Sequence, residues 1–426
     1  MVTPPDQRQD RTAPAAGARP ATGAAASLEA VRRRNLGALL RYVHIHGATS
    51  RAELTGRLGL NRSTIGALTA ELVAAGLVTE AVPAHNHGAG RPSLVVRPCS
   101  ERVFAYAYSV EVDHLRSARV GLGGIVLDRR DLPRPPGTPL PDALEPLAEL
   151  ARGLRGDAPD DALCVGTGVA VAGVLRQADG TLAASPRVTG AVLQARLGGD
   201  RAPLVGDVAD LAALAEYVRG AAMNLRNVIY LYGDASIGGG IIADGRQITG
   251  RGCEVGHMVV NPNGQPCWCG SRGCWETEVG EHALLRHAGR DGVTGRDGMT
   301  GRDGMTGRDA VLAVIDAAVR GDPTARTAVR HVADWLGFGV ANLVNIVNPE
   351  AVLFGGTLRS LYLADVAQVH GRLDGMVLPA CRERVRLRTP TFGDDAPLMG
   401  AAELTFERLL QDPLEATTGD APARPC

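Results

Sequence analysis

The 426-residue sequence predicts an α/β protein in two parts: an amino-terminal winged helix-turn-helix, then a larger body of alternating strands and helices. Three observations carry this reading. Helix-period runs between Leu36 and Val73 give way to two β-prone runs before Pro98. Beyond Pro98 strand-period runs alternate with amphipathic helical ones. The charge divides at the same place: residues 28–98 hold nine arginines against four glutamates, +5, in a chain whose net charge is −1. A basic module joined to an acidic body points to nucleic-acid contact through the first part only.

Residues 1–27 are rich in Ala, Pro and Gly and lack the apolar core of a signal peptide, so they read as a disordered tail. The module spans 28–98. Leu36, Leu39, Leu40 and Val43 predict a first helix ending near His46, where Gly47 stops it. Ser50 opens a capping box in which Glu53 reaches back, and the short second helix ends at Gly59. Asn61 caps a third helix, Arg62 to Ala75, with Ile65, Leu68, Leu72 and Val73 inward and Gly76 as its stop. Its first turn presents Asn61, Arg62, Ser63 and Thr64 as base and phosphate readers. Two strands, Leu77–Val82 and Ser93–Arg97, then flank a wing whose Gly-Arg91-Pro tip suits the electronegative minor groove.

The body occupies 99–412. Strands are expected at 102–110, 119–122 and 125–127, with Gly123-Gly124 as a tight turn, then a Pro-rich loop at 130–141 and a helix at 144–154. Further strands fall at 164–171, around 204–205, at 227–232 and at 351–354, with helices at 211–224, 310–320 and 324–345. A Gly-Arg-Asp-Gly-Val/Met-Thr hexad repeats near 289–309; without an apolar face it reads as a solvated surface insertion. Residues 413–426 read as a second disordered tail.

The stretch richest in chemistry is Gly252 to Glu276. His257 stands ten residues before Cys267, and Cys267, Cys269 and Cys274 fall within eight residues. Three thiolates and an imidazole are the donor set of a closed, structural zinc site, which would hold the flanking Glu254 and Glu276 in place. The other five cysteines are scattered without a paired pattern, which argues for a reducing cytoplasm, and no apolar run is long enough to cross a membrane. The chain has no lysine, so a Walker-type phosphate loop is excluded.

Glu254-x-Gly-His257 followed by Cys267-x-Cys269-Gly-x-x-Gly-Cys274-x-Glu276 resembles the signature of the ROK family of sugar kinases and sugar-responsive repressors. The Gly-Arg91-Pro wing tip resembles that of its repressors, and the likeness spans roughly residues 28 to 410. It implies a two-lobed, actin-like, sugar-kinase-like body with a ligand between the lobes. It also implies zinc on His257, Cys267, Cys269 and Cys274, and Glu254, His257 and Glu276 facing sugar hydroxyls. A kinase of the family would need three further features, and the chain departs from each. Ser109-Val-Glu111-Val-Asp113 replaces the Asp-x-Gly-Gly-Thr turn that offers bare amides to phosphate. Val208 stands at the position of the general base. Asp207, one place earlier, is expected to point to the opposite face as a poor substitute base, and is assigned to the sugar pocket. Asp234-Ala-Ser precedes Gly238-Gly-Gly where a Gly-Thr-Gly loop would touch phosphate.

The resulting expectation is a cytoplasmic transcriptional repressor, a homodimer or homotetramer, bound to a near-palindromic double-stranded operator. Its recognition helices would sit about 34 Å apart, one DNA turn. The body would be non-catalytic and would sense a sugar or sugar phosphate. The rival readings are an active ATP-dependent sugar kinase with an added DNA-binding module, and a scaffold that binds no ligand.

Overall fold

The apolar stripe of the first helix, α1 (Gly23–His46), is buried at Leu36, Leu39, Leu40 and Val43, and the helix stops at Gly47 with φ 73°. The computed structural model describes residues 23–83, 93–135, 138–159, 161–173, 175–176, 181–182, 188–199, 201–234, 236–248, 254–290 and 307–418. α1 therefore begins inside the segment expected to be a tail. After it come β1 (Thr49–Ser50), α2 (Arg51–Leu58), α3 (Arg62–Ala74), β2 (Val78–Ala81) and β3 (Val95–Pro98). Ser50 Oγ caps α2 by accepting the Glu53 amide at 3.1 Å, but the Glu53 carboxylate does not complete the box: it accepts the Tyr42 hydroxyl at 3.1 Å. The small sheet has the order β1-β3-β2, so a third strand, too short to leave a periodic pattern, completes the winged helix-turn-helix.

The body contains two five-stranded sheets. In the first, β4 (Val103–Val110), β5 (His114–Gly121), β6 (Ile125–Pro133), β7 (Leu163–Val171) and β10 (Leu204–Asp207) take the order β10-β7-β4-β5-β6. α4 (Leu140–Gly156) and α5 (Gly190–Leu197) accompany it, and β8 (Leu175–Arg176) pairs separately with β9 (Thr181–Leu182). β6 runs through Pro133, into residues expected to be loop, because its full length pairs with β5. The second sheet has the order β13-β12-β11-β14-β15, from β11 (Val228–Gly233), β12 (Ile237–Ala243), β13 (Arg246–Gln247), β14 (Ala351–Gly356) and β15 (Arg386–Arg388). Around it lie α7 (Trp275–Val279), α8 (Glu281–His287), α9 (Gly307–Val319), α10 (Pro323–Val347), α11 (Thr357–Ala364), α12 (Val366–Met376) and α13 (Pro379–Arg382).

Two helices stand between the sheets: α6 (Val208–Arg219) on β11 and β12, and α14 (Ala396–Gln411) on β4 and β7. They meet backbone to backbone, since a methyl group on Gly400 would lie 1.8 Å from Leu211 O. A short helix, α15 (Pro413–Thr418), follows where a tail was expected, and its Leu414 packs on the core beside α1. Residues 291–306 of the hexad repeat lie outside the description, and its last copy opens α9. Cys99, 5% exposed, is disulfide-bonded, contrary to the expectation of unpaired thiols.

The two glycine environments give opposite expectations. Gly400→Ala should cost about 3 kcal/mol or more by forcing α14 off α6. Gly371→Ala, in α12 with open space around its Cα, should add about 0.5–1 kcal/mol. Urea unfolding of the two variants against the parent measures both.

Candidate metal centre and effector cleft

The metal loop is built on an anchored tryptophan. Trp275, fully buried, donates its indole N–H to Trp335 O at 2.8 Å and presses on Gly339 of α10, which fixes Cys274 and Glu276 on either side of it. Bridges pairing Val259 with Cys274 and Pro266 with Arg272 fold the rest of the loop back on itself. The ligand atoms of His257, Cys267, Cys269 and Cys274 all lie within 4.8 Å of one another. Cys269 Sγ is 3.6 Å from Cys274 Sγ, and Cys267 Sγ is 3.5 Å from His257 Nδ1. Tetrahedral zinc with ordinary Zn–S and Zn–N bonds has ligand–ligand edges of about 3.5–3.8 Å, so the expected donor set fits the ion.

His257 divides its two nitrogens. Nδ1 faces the sulfurs, while Nε2 lies 3.8 Å from Glu254 Oε2. Glu276, 9% exposed, accepts the Cys267 thiol at 3.1 Å through Oε1, and its Oε2 has no hydrogen-bond partner among the described residues. An unpaired buried carboxylate oxygen costs free energy unless something occupies it, and a ligand hydroxyl is a suitable occupant. Sequence reasoning passed over Trp268. It is 69% exposed between two candidate ligands and packs edge-on against the His257 ring at 4.9 Å.

Across the cleft, Asp207 does not point away as strand alternation implied. It ends β10 and caps α6, accepting the Ala209 amide at 2.8 Å, and alternation lapses at such a junction. Burial pushes its carboxyl up to about 7, opposed by the Ala209 amide and aided by the charges of Asp210 and Glu254. Asp210 is likewise raised to about 6 by burial, with Glu254 adding to the shift. The structure thus sets Glu254, His257 and Glu276 together, near enough to Asp207 for the Glu254 charge to act on it, with Asp210 as an unforeseen neighbour. Val208, 5% exposed, presents no acceptor there.

The region that the family resemblance assigns to phosphate is occupied by the protein itself. Glu111, expected to repel phosphate, is turned inward and accepts the Ser109 hydroxyl at 2.8 Å, the Tyr232 hydroxyl at 3.0 Å and an Arg116 guanidinium N–H. The Val112 amide, which a phosphate would need, is directed to Asp234 Oδ2 at 3.4 Å. Arg308, from the repeat expected to be a solvated surface, is instead half-buried and pairs with Asp394. Arg116, Arg308 and Asp394 border an open cavity of about 610 Å³, which Asp113, His114 and Arg134 also line. Burial raises Asp234 to about 7, with the charges of Asp113 and Glu111 adding to the shift, and raises Glu281, 5% exposed, to about 8, with those of Asp234 and Asp113 adding to it.

In the amino-terminal module, Asn61, Arg62 and Ser63 are exposed and Thr64 is half-exposed at the start of α3. Asn61 Oδ1 accepts both the Thr64 amide and the Ser63 hydroxyl at 2.8 Å, so two of the expected base readers are also cap partners. Arg91 lies outside the described residues.

A winged helix-turn-helix on a two-lobed, sugar-kinase-like body defines the class of protein. The ROK family model matches residues 110–408, and the chain belongs to the ROK family. Over nearly its whole length it is similar to a xylose repressor of Bacillus spizizenii, 25% identical over 392 residues, covering 89% of this chain and 97% of the repressor. A glucokinase of Halalkalibacterium halodurans is 31% identical over 211 residues, but these cover only 48% of this chain and 64% of the enzyme. Among solved structures, a ROK family transcriptional regulator, a homolog of the E. coli MLC protein, superposes with a TM-score of 0.72 at 22% identity, covering 92% of this chain and all of that one.

The metal fit predicts one zinc per chain by elemental analysis of protein purified without chelators. Cys274→Ser should remove it and lower the melting temperature markedly, because binding energy at such a site is folding energy. The buried acids predict a pH dependence. Asp234 ordinarily titrates at 3.8 and here at about 7, so the folded chain holds a proton that the unfolded chain releases between those values. Its contribution to stability is present below about pH 4 and is lost as pH rises to about 7. Asp234→Asn should flatten that decline and gain on the parent at pH 8, as followed by urea midpoints across pH.

Proposed function

We propose that the chain is a sugar-responsive transcriptional repressor whose body binds a sugar or sugar phosphate without phosphorylating it. The observation that carries this reading is the phosphate end of the cleft, where the Val112 amide is directed to Asp234 while the sugar-facing carboxylates remain. Phosphoryl transfer depends on positioning and on stabilising charge at the phosphates, and a carboxylate at the phosphate-facing amide opposes both. The full-length likeness to a xylose repressor supports the same reading.

In this proposal His257, Cys267, Cys269 and Cys274 hold a structural zinc, and Asp207, Glu254, His257 and Glu276 bind hydroxyls. Each charge-assisted hydrogen bond is worth about 1.5–3 kcal/mol. Asn61, Arg62, Ser63 and Thr64 read bases and phosphates, and Arg91 enters the minor groove. Two copies on a near-palindromic operator would set the recognition helices one DNA turn apart. One observation favours the kinase as a second reading: Asp207, with its carboxyl near 7, has the affinity for protons that a general base needs. Its Oδ1 is engaged in the α6 cap, which weighs against that role.

The deciding experiment selects genomic DNA fragments on the purified chain with and without a panel of sugars, and assays ATP turnover on the same sample. Enrichment of a palindromic sequence that a sugar alters, with no turnover, is expected; sugar-dependent ATP consumption would establish the kinase instead. Arg62→Ala should weaken binding of the selected fragment by about 1–3 kcal/mol and relax base preference, as read by gel shift.

Glu254→Ala should abolish both the sugar-induced rise in melting temperature and the sugar effect on DNA. In the parent, a sugar at one hundred times its dissociation constant should stabilise by about 2.7 kcal/mol.

A further inference from the structure

The helix that begins in the cleft ends on the DNA-binding module. α6 starts at Asp207 among the sugar-facing acids and runs 12 residues, about 18 Å, to Arg219. Arg219 donates through Nε to Glu403 Oε1 at 2.8 Å, and through Nη1 to His44 O at 3.0 Å and Gly123 O at 2.9 Å. His44 belongs to α1 and is fully buried. Its Nδ1 accepts the Gly123 amide at 2.9 Å, which places the proton on Nε2, directed to Glu403 Oε2 at 2.9 Å. One buried carboxylate on α14 therefore serves donors from α1 and from α6. Arg219 Nη2 comes within 2.7 Å of His44 Nε2. Since both nitrogens carry protons, each needs Glu403, and a shift of α6 redistributes that carboxylate between them.

α6 has little freedom to absorb a displacement inside itself. A methyl group on Gly240 of β12 would lie 2.5 Å from Ala209 O, and one on Gly400 would lie 1.8 Å from Leu211 O. A helix gripped by backbone on two sides moves as a body or not at all. α1 has further attachments to α14: Arg41 pairs with Glu407 at 2.8 Å, and Gly37 sits tightly against Leu410 O. Loosening the Arg219 contact therefore leaves the module docked.

We propose that Arg219 is the transmitting residue between the two ends of the molecule: occupation of the cleft displaces Asp207 and α6, and Arg219 passes that displacement through Glu403 and His44 to α1. The proposal rests on the sugar-sensing reading and names the route by which it reaches the DNA-binding module.

The test uses the full chain with D-glucose and D-xylose, taking whichever raises the melting temperature. Hydrogen exchange of peptides covering residues 36–46 is followed with and without that sugar in the parent, in Arg219→Lys, which keeps the charge and loses the fork, and in Glu403→Gln. The sugar should change exchange in this stretch several-fold in the parent. Both variants should keep the melting shift and lose the change in exchange. An equal change in Arg219→Lys, or no change in the parent despite a melting shift, overturns the proposal. If neither sugar shifts melting, the sensing reading falls and takes the proposal with it; if α1 responds but no DNA is bound, the repressor reading falls and the proposal stands.

Discussion

The lobes of this molecule meet most closely where two helix backbones touch, Leu211 O of α6 against the bare Cα of Gly400 in α14. Each helix belongs to a different sheet, α6 lying on bare Gly240 of β12 and α14 on bare Gly168 of β7, where a methyl group would come within 2.0 Å of Ala401 O. Glycines thus line the contact from one sheet to the other, and the sheets approach as closely as two helix backbones allow. The amino-terminal module depends on the same pair, because α1 packs along the carboxyl-terminal half of α14 and its His44 meets the end of α6. A contact with no side chain to rearrange transmits position well and relaxes poorly.

Electrostatics separates the two ends of the cleft. Beside the His/Cys cluster, Glu254 and Glu276 flank an imidazole, and Glu276 Oε2, without a partner among the described residues, leaves acceptor capacity for a ligand. At the other end Glu111 is neutralised by Arg116, Asp394 by Arg308, and Asp234 takes the Val112 amide. Arg116 and Arg308 there are committed to the protein's own carboxylates, and Arg134 donates to the carbonyls of Glu111 and Thr138, so an incoming triphosphate would have to break these contacts before it gained any. This obstacle differs from the simple repulsion expected of the altered turn: Glu111, its most conspicuous acid, faces inward.

The sequence made local chemistry legible and long-range chemistry opaque. The cluster of His257, Cys267, Cys269 and Cys274 could be read because all four fall within eighteen residues, and the exposed start of α3 because a cap marks where its side chains emerge. The triad of His44, Arg219 and Glu403 could not be read, since its members come from α1, α6 and α14 and each alone resembles an ordinary helix residue. Arg308 was misjudged because composition places a Gly-Arg-Asp repeat in solvent, whereas helix α9 starts at the last copy and carries that arginine to Asp394. Asp207 was misjudged by applying strand alternation one residue past the point where the chain turns into a helix cap.

In the proposed reading His257 combines a structural and a binding role in one side chain. If Nδ1 is the metal ligand, as its position 3.5 Å from Cys267 Sγ favours, the ring proton must be on Nε2, the nitrogen facing Glu254. The imidazole is then a donor toward the cleft while Glu254 and Glu276 are acceptors. A sugar hydroxyl both donates and accepts, so it can take the Nε2 proton and give its own to either carboxylate. Without the metal the tautomer is free, and an acceptor at Nε2 beside two acids would favour a cation over a polyol. The metal, although remote from any reacting atom in this proposal, would therefore select for hydroxyls by fixing a single proton.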